Sequence, residues 1–249
     1  MRVGIIGSIV LGAIVFTTTS PAQNPPAAPA IVRTVVAGAK LADVTTAPLY
    51  FYAIAVTIPA GATTPIAAWP NGVLYQLSGS TAIVAAGESK TLAPGEGMVL
   101  VAGRDATLKA GSDGPSRILH FLLLPAALLD KPVETEPAAV TELFRTPAPI
   151  PTLKPGAYDL NLTRVTFPPQ MPANPPHHRS GAALSYVVSG TGATTVAGST
   201  TAKGPGSLIY EPSSLVHQWG NPGIEPWTFL AFNINPEGVP AVVMESQPK

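Results

Sequence analysis

The chain has 249 residues, of which 46% are hydrophobic and only 11% are charged, and its formal net charge is zero. This composition excludes the clustered positive charge that nucleic acids and anionic membranes attract, so neither is an expected partner. The 29 prolines and 23 glycines argue against long solvated helices, and the Val-, Thr-, Ile- and Leu-rich runs between them predict an all-β fold.

The first 22 residues have the pattern of an export signal. Arg2 supplies a positive start, an apolar run from Val3 to Phe16 follows, and Ser20 to Ala22 resembles a small-residue cleavage site. The apolar run is shorter than the roughly 20 residues of a membrane-spanning helix. We therefore expect removal of residues 1–22, no stable membrane span, and a periplasmic or secreted mature protein. The absence of cysteine is compatible with an oxidising compartment.

The rest of the chain alternates between linker-like and strand-like stretches. Residues 23–44 begin rich in Pro and Ala and are expected to form an extended linker. Short apolar runs bounded by Gly and Pro occupy residues 45–128 and again 156–240, as strands would. The intervening linker, 129–155, has one proline-free piece, Ala138 to Phe144, which is expected to form one or two helical turns. In the tail, 241–249, residues from Glu245 onward are expected to be mobile.

The two strand-rich regions repeat each other. Tyr75 to Gly79 recurs as Tyr186 to Gly190, an offset of 111 positions that also relates Pro94 to Pro205. Upstream the offset is 109, so the second copy has two extra residues near its histidines. We therefore expect two copies of one all-β domain.

The second copy carries a motif of glycine, proline, histidine and asparagine. Gly206, Pro212, His217 and Asn221 have the spacing G-x5-P-x4-H-x3-N. In this motif the chain resembles the cupins, whose first motif contributes H-x-H and a glutamate and whose ligands usually bind one divalent metal inside a small β-barrel. The resemblance implies a bicupin: two tandem jelly-roll barrels with a short helical or extended linker.

The first motif of the second copy departs from the family pattern. Counting back from the repeated segment places the two family histidines at His177 and Arg179 and the glutamate at Ala183. Because alternate residues of a strand share a face, His177 and Arg179 are expected to point into the barrel and His178 away from it, unless a β-bulge turns His178 inward. Arginine cannot ligate a metal, so His177 and His217 remain as ligands, with His178 as a third candidate.

The first copy has lost the site. His217, Pro212 and Asn221 of the second copy correspond there to Ala106, Val101 and Ala110, and the first-motif positions fall on Ile66, Ala68 and Gly72. Its only histidine, His120, is expected to be a core or edge residue. The first barrel should therefore be structural, and because a bicupin can pair its barrels within one chain, we expect a monomer, with a homodimer as the alternative.

Three functions are consistent with these residues. In the first, the second barrel binds a small molecule, favoured as an anion by Arg179, through the side chains His177, Arg179, Tyr186, His217 and Trp219. In the second, His177, His178 and His217 hold a divalent transition metal that supports an oxygenase, isomerase or lyase reaction. In the third, the protein is a structural bicupin without a pocket. The missing carboxylate favours the first, the direction of Glu211 cannot be read, and whether the protein is an enzyme stays open.

Overall fold

The computed structural model describes residues 30–44, 48–66, 71–85, 87–151 and 153–245, so the expected export signal lies outside the described residues. Within them the chain is built from β-strands with one short 3₁₀ helix, Ala126–Leu128, and the all-β prediction is confirmed. None of the described segments is a helix long and apolar enough to cross a membrane.

The strands form two similar groups along the chain. The first group comprises β1 Val32–Val44, β2 Leu49–Ile58, β3 Thr63–Ile66, β4 Asn71–Ser78, β5 Thr81–Ala85, β6 Glu88–Leu92, β7 Gly97–Leu100, β8 Ala106–Ala110, β9 Ser116–Pro125 and β10 Ala139–Arg145. The second comprises β11 Gly156–Phe167, β12 His177–Arg179, β13 Ala182–Ser189, β14 Gly192–Val196, β15 Ser199–Lys203, β16 Leu208–Glu211, β17 His217–Gly220, β18 Trp227–Pro236 and β19 Val242–Met244.

Each barrel contains two antiparallel sheets. The first barrel contains the orders β10-β2-β9-β4-β7 and β3-β8-β5-β6, and the second contains β1-β11-β18-β13-β16 and β15-β14-β17-β12-β19. Apart from the added strands β1, β10 and β19, the second barrel repeats the strand order of the first. The internal repeat in the sequence is thus a repeat of one jelly-roll topology.

Three segments that were expected to be linker or tail belong to these sheets. β1 pairs with β11, so part of the first expected linker is an edge strand of the second barrel. Of the helical and extended alternatives for the second linker, Ala139–Arg145 takes the extended one, because β10 pairs with β2 and completes a sheet of the first barrel. The tail is ordered as far as Glu245, because β19 pairs with β12 and the Glu245 amide donates to Pro176 O.

Apolar side chains fill both barrels and the space between them. In β9, Ile118, Leu122 and Leu124 face the interior of the first barrel, whereas the alternate residues join a cluster shared with the second barrel. In that shared cluster the ring of Phe232 lies 5.3 Å from Phe51 and 5.6 Å from Phe121, centroid to centroid. The two barrels are thus joined by one apolar cluster to which both contribute, while each barrel also has a separate cluster of its own.

Candidate functional site

Two histidines face each other on neighbouring strands of the second barrel. His177 of β12 and His217 of β17 are paired in register, and their ring centroids are 4.4 Å apart. His177 Nδ1 lies 3.0 Å from Pro175 O, and His217 Nδ1 lies 2.8 Å from Leu215 O. A carbonyl oxygen only accepts, so Nδ1 carries the proton in both rings and, when a ring is neutral, Nε2 is its acceptor nitrogen.

A carboxylate reaches the same place from β16. Glu211 is paired in register with Ala183, and its side chain is 1% exposed. Ser185 Oγ donates to Glu211 Oε1 over 3.0 Å, whereas Oε2 lies 2.7 Å from His217 Nε2. This last contact is electrostatic, because the ring nitrogen is not aligned for a hydrogen bond. The carboxylate missing at Ala183 is therefore present on the strand beside it.

Arg179 is the direct partner of this carboxylate. Its Nε and Nη2 lie 2.9 and 2.8 Å from Glu211 Oε2, and its Nη1 donates to Asn233 Oδ1 over 3.2 Å. Both charged side chains are buried, at 9% and 1% exposed. Three of the five N–H groups of the guanidinium are thereby used, and two remain for another acceptor.

Burial and charge shift the protonation of this cluster. Burial alone would raise the pKa of Glu211, but Arg179 and His217 together lower it below its usual value. The pKa of His177 is lowered by burial and, to a smaller extent, by the nearby His217 and Arg179, although its bond to Pro175 opposes the shift. Glu211 is therefore an anion and His177 a neutral acceptor at neutral pH.

The cluster borders a cavity of about 550 Å³ in the second barrel. Its lining is mostly apolar and includes Phe167, Met171, Trp219 and Phe229. The polar wall consists of His177, Arg179, Asn161, Thr163 and Asn233, together with Arg33 from β1. A smaller cavity of about 240 Å³ lies on another side and is lined by Glu211, His217, Tyr210 and Lys203. His177 and Arg179 line the larger cavity, and His217 lines the smaller one. Trp219 borders both cavities.

Comparisons with known proteins agree with this architecture. A family model described as "Cupin domain" matches residues 163–233, which include the strands of the site. This part of the chain therefore resembles a cupin domain. No curated protein sequence matches the chain.

Solved structures show the two-barrel cupin fold over most of the chain. Oxalate decarboxylase from Bacillus subtilis is 15% identical, covers 81% of this chain and 73% of its own, and has a TM-score of 0.55. Salicylate 1,2-dioxygenase from Pseudaminobacter salicylatoxidans is 13% identical, covers 73% and 70%, and has a TM-score of 0.53. At these identities the likeness shows the fold alone.

Two expected site residues of the second barrel lie elsewhere. His178 points away from the cavity, where its Nδ1 is 2.6 Å from Glu245 Oε1, and β12 pairs with β19 in unbroken register. The β-bulge that would have turned His178 inward is therefore not observed, and His178 does not join His177 and His217. Tyr186 packs against the core between the barrels and does not line either cavity, so a ligand there would not touch it.

The site of the first barrel is filled by side chains. Ile66 is buried in the core, and Ala68 lies outside the described residues. His120 is fully buried and pairs with the equally buried Glu134. A Cβ atom on Gly72 would lie 2.9 Å from His120 Nε2, so this histidine occupies the space beside the former ligand position. His120 is therefore a core residue.

The residues of the second barrel do not fit a metal ion. Mn(II) centres are a feature of the Bacillus subtilis oxalate decarboxylase. Among the residues that the structure describes, no three His, Cys, Asp or Glu side chains form a group that could hold such an ion. In addition, the permanently charged Arg179 guanidinium contacts Glu211 Oε2, the oxygen nearest to His217, and this charge disfavours a bound cation.

Proposed function

We propose that this protein binds a small organic monoanion with an apolar body in the cavity of the second barrel. The observation that carries the proposal is the cavity of about 550 Å³ whose apolar lining is interrupted by two guanidinium groups, Arg33 and Arg179. Small-molecule sites typically measure about 300–1,000 Å³ and combine an apolar lining with a few polar groups that fix orientation.

The charge balance of the wall favours an anion. Arg179 is neutralised by Glu211, whereas Arg33 has no carboxylate within ion-pair distance among the residues that the structure describes. Arg33 is partly exposed, and partial desolvation together with the like charge of the neighbouring Arg179 lowers its pKa. An anion between them would relieve this repulsion, and one uncompensated cation suits a ligand with a single negative charge.

The polar wall is held in place before a ligand arrives. Asn233 Nδ2 donates to Asn161 Oδ1 over 2.9 Å and to Ala231 O over 2.9 Å, while Asn233 Oδ1 accepts from Arg179. Thr163 Oγ1 donates to Asn161 Oδ1 over 3.0 Å. Because these bonds fix the guanidinium, its two remaining N–H groups can bind a carboxylate with little loss of side-chain entropy.

Calorimetric titration with a panel of small aromatic and aliphatic carboxylates tests this function. We expect binding that Arg33→Gln weakens roughly 10- to 100-fold, the effect of removing one charge-assisted hydrogen bond. Lys40→Gln is the matched control, since Lys40 lies on the same strand but pairs with Glu237 outside the cavity. If no carboxylate in the panel binds, or if Arg33→Gln binds as tightly as the wild type, the proposal is wrong.

We also propose that the protein acts outside the cytoplasm and as a monomer. The first part is supported by the export pattern of residues 1–22, and the second by the apolar core that the barrels share. N-terminal sequencing of the protein recovered from the producing cell would begin near residue 23 under the first part. Light scattering on the purified protein would give about the mass of one chain under the second.

A further inference from the structure

We infer that the Arg179 guanidinium supplies the positive charge of the cluster formed by His177, His217 and Glu211. It does so in place of a divalent metal ion. This inference concerns the cluster itself and does not depend on the ligand proposed for the cavity. It also assigns a role to Glu211, which is the counter-charge of the guanidinium.

Without Arg179, the cluster would be a set of acceptors. His177 and His217 both have Nδ1 occupied by a carbonyl, so each neutral ring offers a lone pair at Nε2. Glu211 adds a buried carboxylate whose Oε2 lies 2.7 Å from His217 Nε2. Two imidazoles and one carboxylate are also a donor set that binds divalent transition metals in proteins.

Arg179 places a positive charge directly against this set. Its Nε and Nη2 both contact Glu211 Oε2, which is the same oxygen that approaches His217. The guanidinium therefore occupies the lone pairs with which Oε2 would ligate a metal. It would also repel a dication bound by the two histidines, and the buried position leaves little water to screen that repulsion.

The register of the strands explains why the residue at position 179 affects metal binding by the cluster. His177 and Arg179 lie two residues apart on β12, so their side chains share one face. Ala183 is small and paired with Glu211, which leaves the inward space between β13 and β16 to the Glu211 side chain. A metal-binding side chain at position 179 would thus lie on the same face as His177 and beside Glu211.

The test is the substitution Arg179→His, which replaces the cation by a ligand. We expect the wild type to bind no stoichiometric Co(II) or Zn(II), and Arg179→His to bind about one equivalent. The affinity gain should be on the order of 100-fold, and Co(II) should give the absorption bands of a nitrogen- and oxygen-ligated ion. Arg179→Gln is the matched control, because it removes the charge without adding a comparable ligand. The pair Arg179→His/His217→Ala should lose the metal again.

Two results would overturn the inference. The first is one equivalent of metal in the wild type that is lost in His217→Ala, and this measurement requires no variant at position 179 to fold. The second is an Arg179→His protein with native circular dichroism that binds metal no better than Arg179→Gln. Neither result bears on carboxylate binding by the wild type, which is measured separately through Arg33, so failure of this inference and failure of the proposed function are distinguishable.

Discussion

The buried pair Arg179–Glu211 makes a quantitative prediction about stability. Glu211→Gln leaves a buried guanidinium without its anion, and both side chains are more than 90% buried, so solvent screening does not weaken the effect. Loss of one partner of a buried pair costs about 3–5 kcal/mol. We expect the lower end, about 3 kcal/mol, because the glutamine oxygen can still accept one hydrogen bond. Urea unfolding followed by fluorescence measures it, since Trp219 and Trp227 both lie in the second barrel.

A double-mutant cycle separates the pair from other causes of instability. The double variant Arg179→Met/Glu211→Gln removes both charges. Its loss in free energy of unfolding should be smaller than the summed losses of Arg179→Met and Glu211→Gln by about 2–3 kcal/mol. The exposed pair Lys40–Glu237 is the matched control, with side chains 72% and 42% exposed, and no measurable coupling is expected there. If the double variant loses as much free energy of unfolding as the two single variants together, within about 0.5 kcal/mol, Arg179 and Glu211 are not a coupled pair.

Two further predictions concern pH and packing in the second barrel. Because the pKa of His177 in the folded protein lies below its ordinary value of 6.5, the unfolded chain binds the extra proton. The free energy of unfolding should therefore fall as the pH drops below about 6.5, and His177→Gln should flatten this dependence in urea unfolding measured between about pH 7.5 and pH 5. Gly192→Ala would place a Cβ 2.0 Å from the Trp227 ring, so we expect a loss of about 1–3 kcal/mol or more in thermal unfolding, whereas Gly114→Ala, with no atom within 4 Å of its new Cβ, should change little.

The sequence predicted the repeated β domains because local signals determine them. Strand alternation placed His177 and Arg179 on one face and His178 on the other, and the structure has this arrangement. The role of Glu211 could not be read in the same way, since it follows from the register between β13 and β16. That register is fixed by pairing between residues 28 positions apart, Ala183 and Glu211, and no local pattern encodes it. A search for carboxylates opposite the empty ligand position on the next strand would have found it.

Two segments that were predicted as linkers are strands, and long-range pairing explains this as well. Residues 138–144 have no proline, which permitted helical turns, but the open edge of β2 offers backbone hydrogen bonds along the whole segment. β1 is similar: nothing in its own sequence indicates that it pairs with β11 more than 100 residues later. In both cases an unsatisfied sheet edge determined the structure, and the position of that edge is a tertiary property.

β1 connects the first barrel to the cavity of the second barrel. β1 precedes the first barrel in sequence but lies at the edge of the second, where it brings Arg33 to the cavity wall. It also packs against the first barrel, because a Cβ on Gly97 of β7 would lie 2.9 Å from Val36. The strand that supplies the uncompensated cation is thus held from both sides. A barrel without a site of its own therefore helps to fix the charge that, in our proposal, recognises the anion.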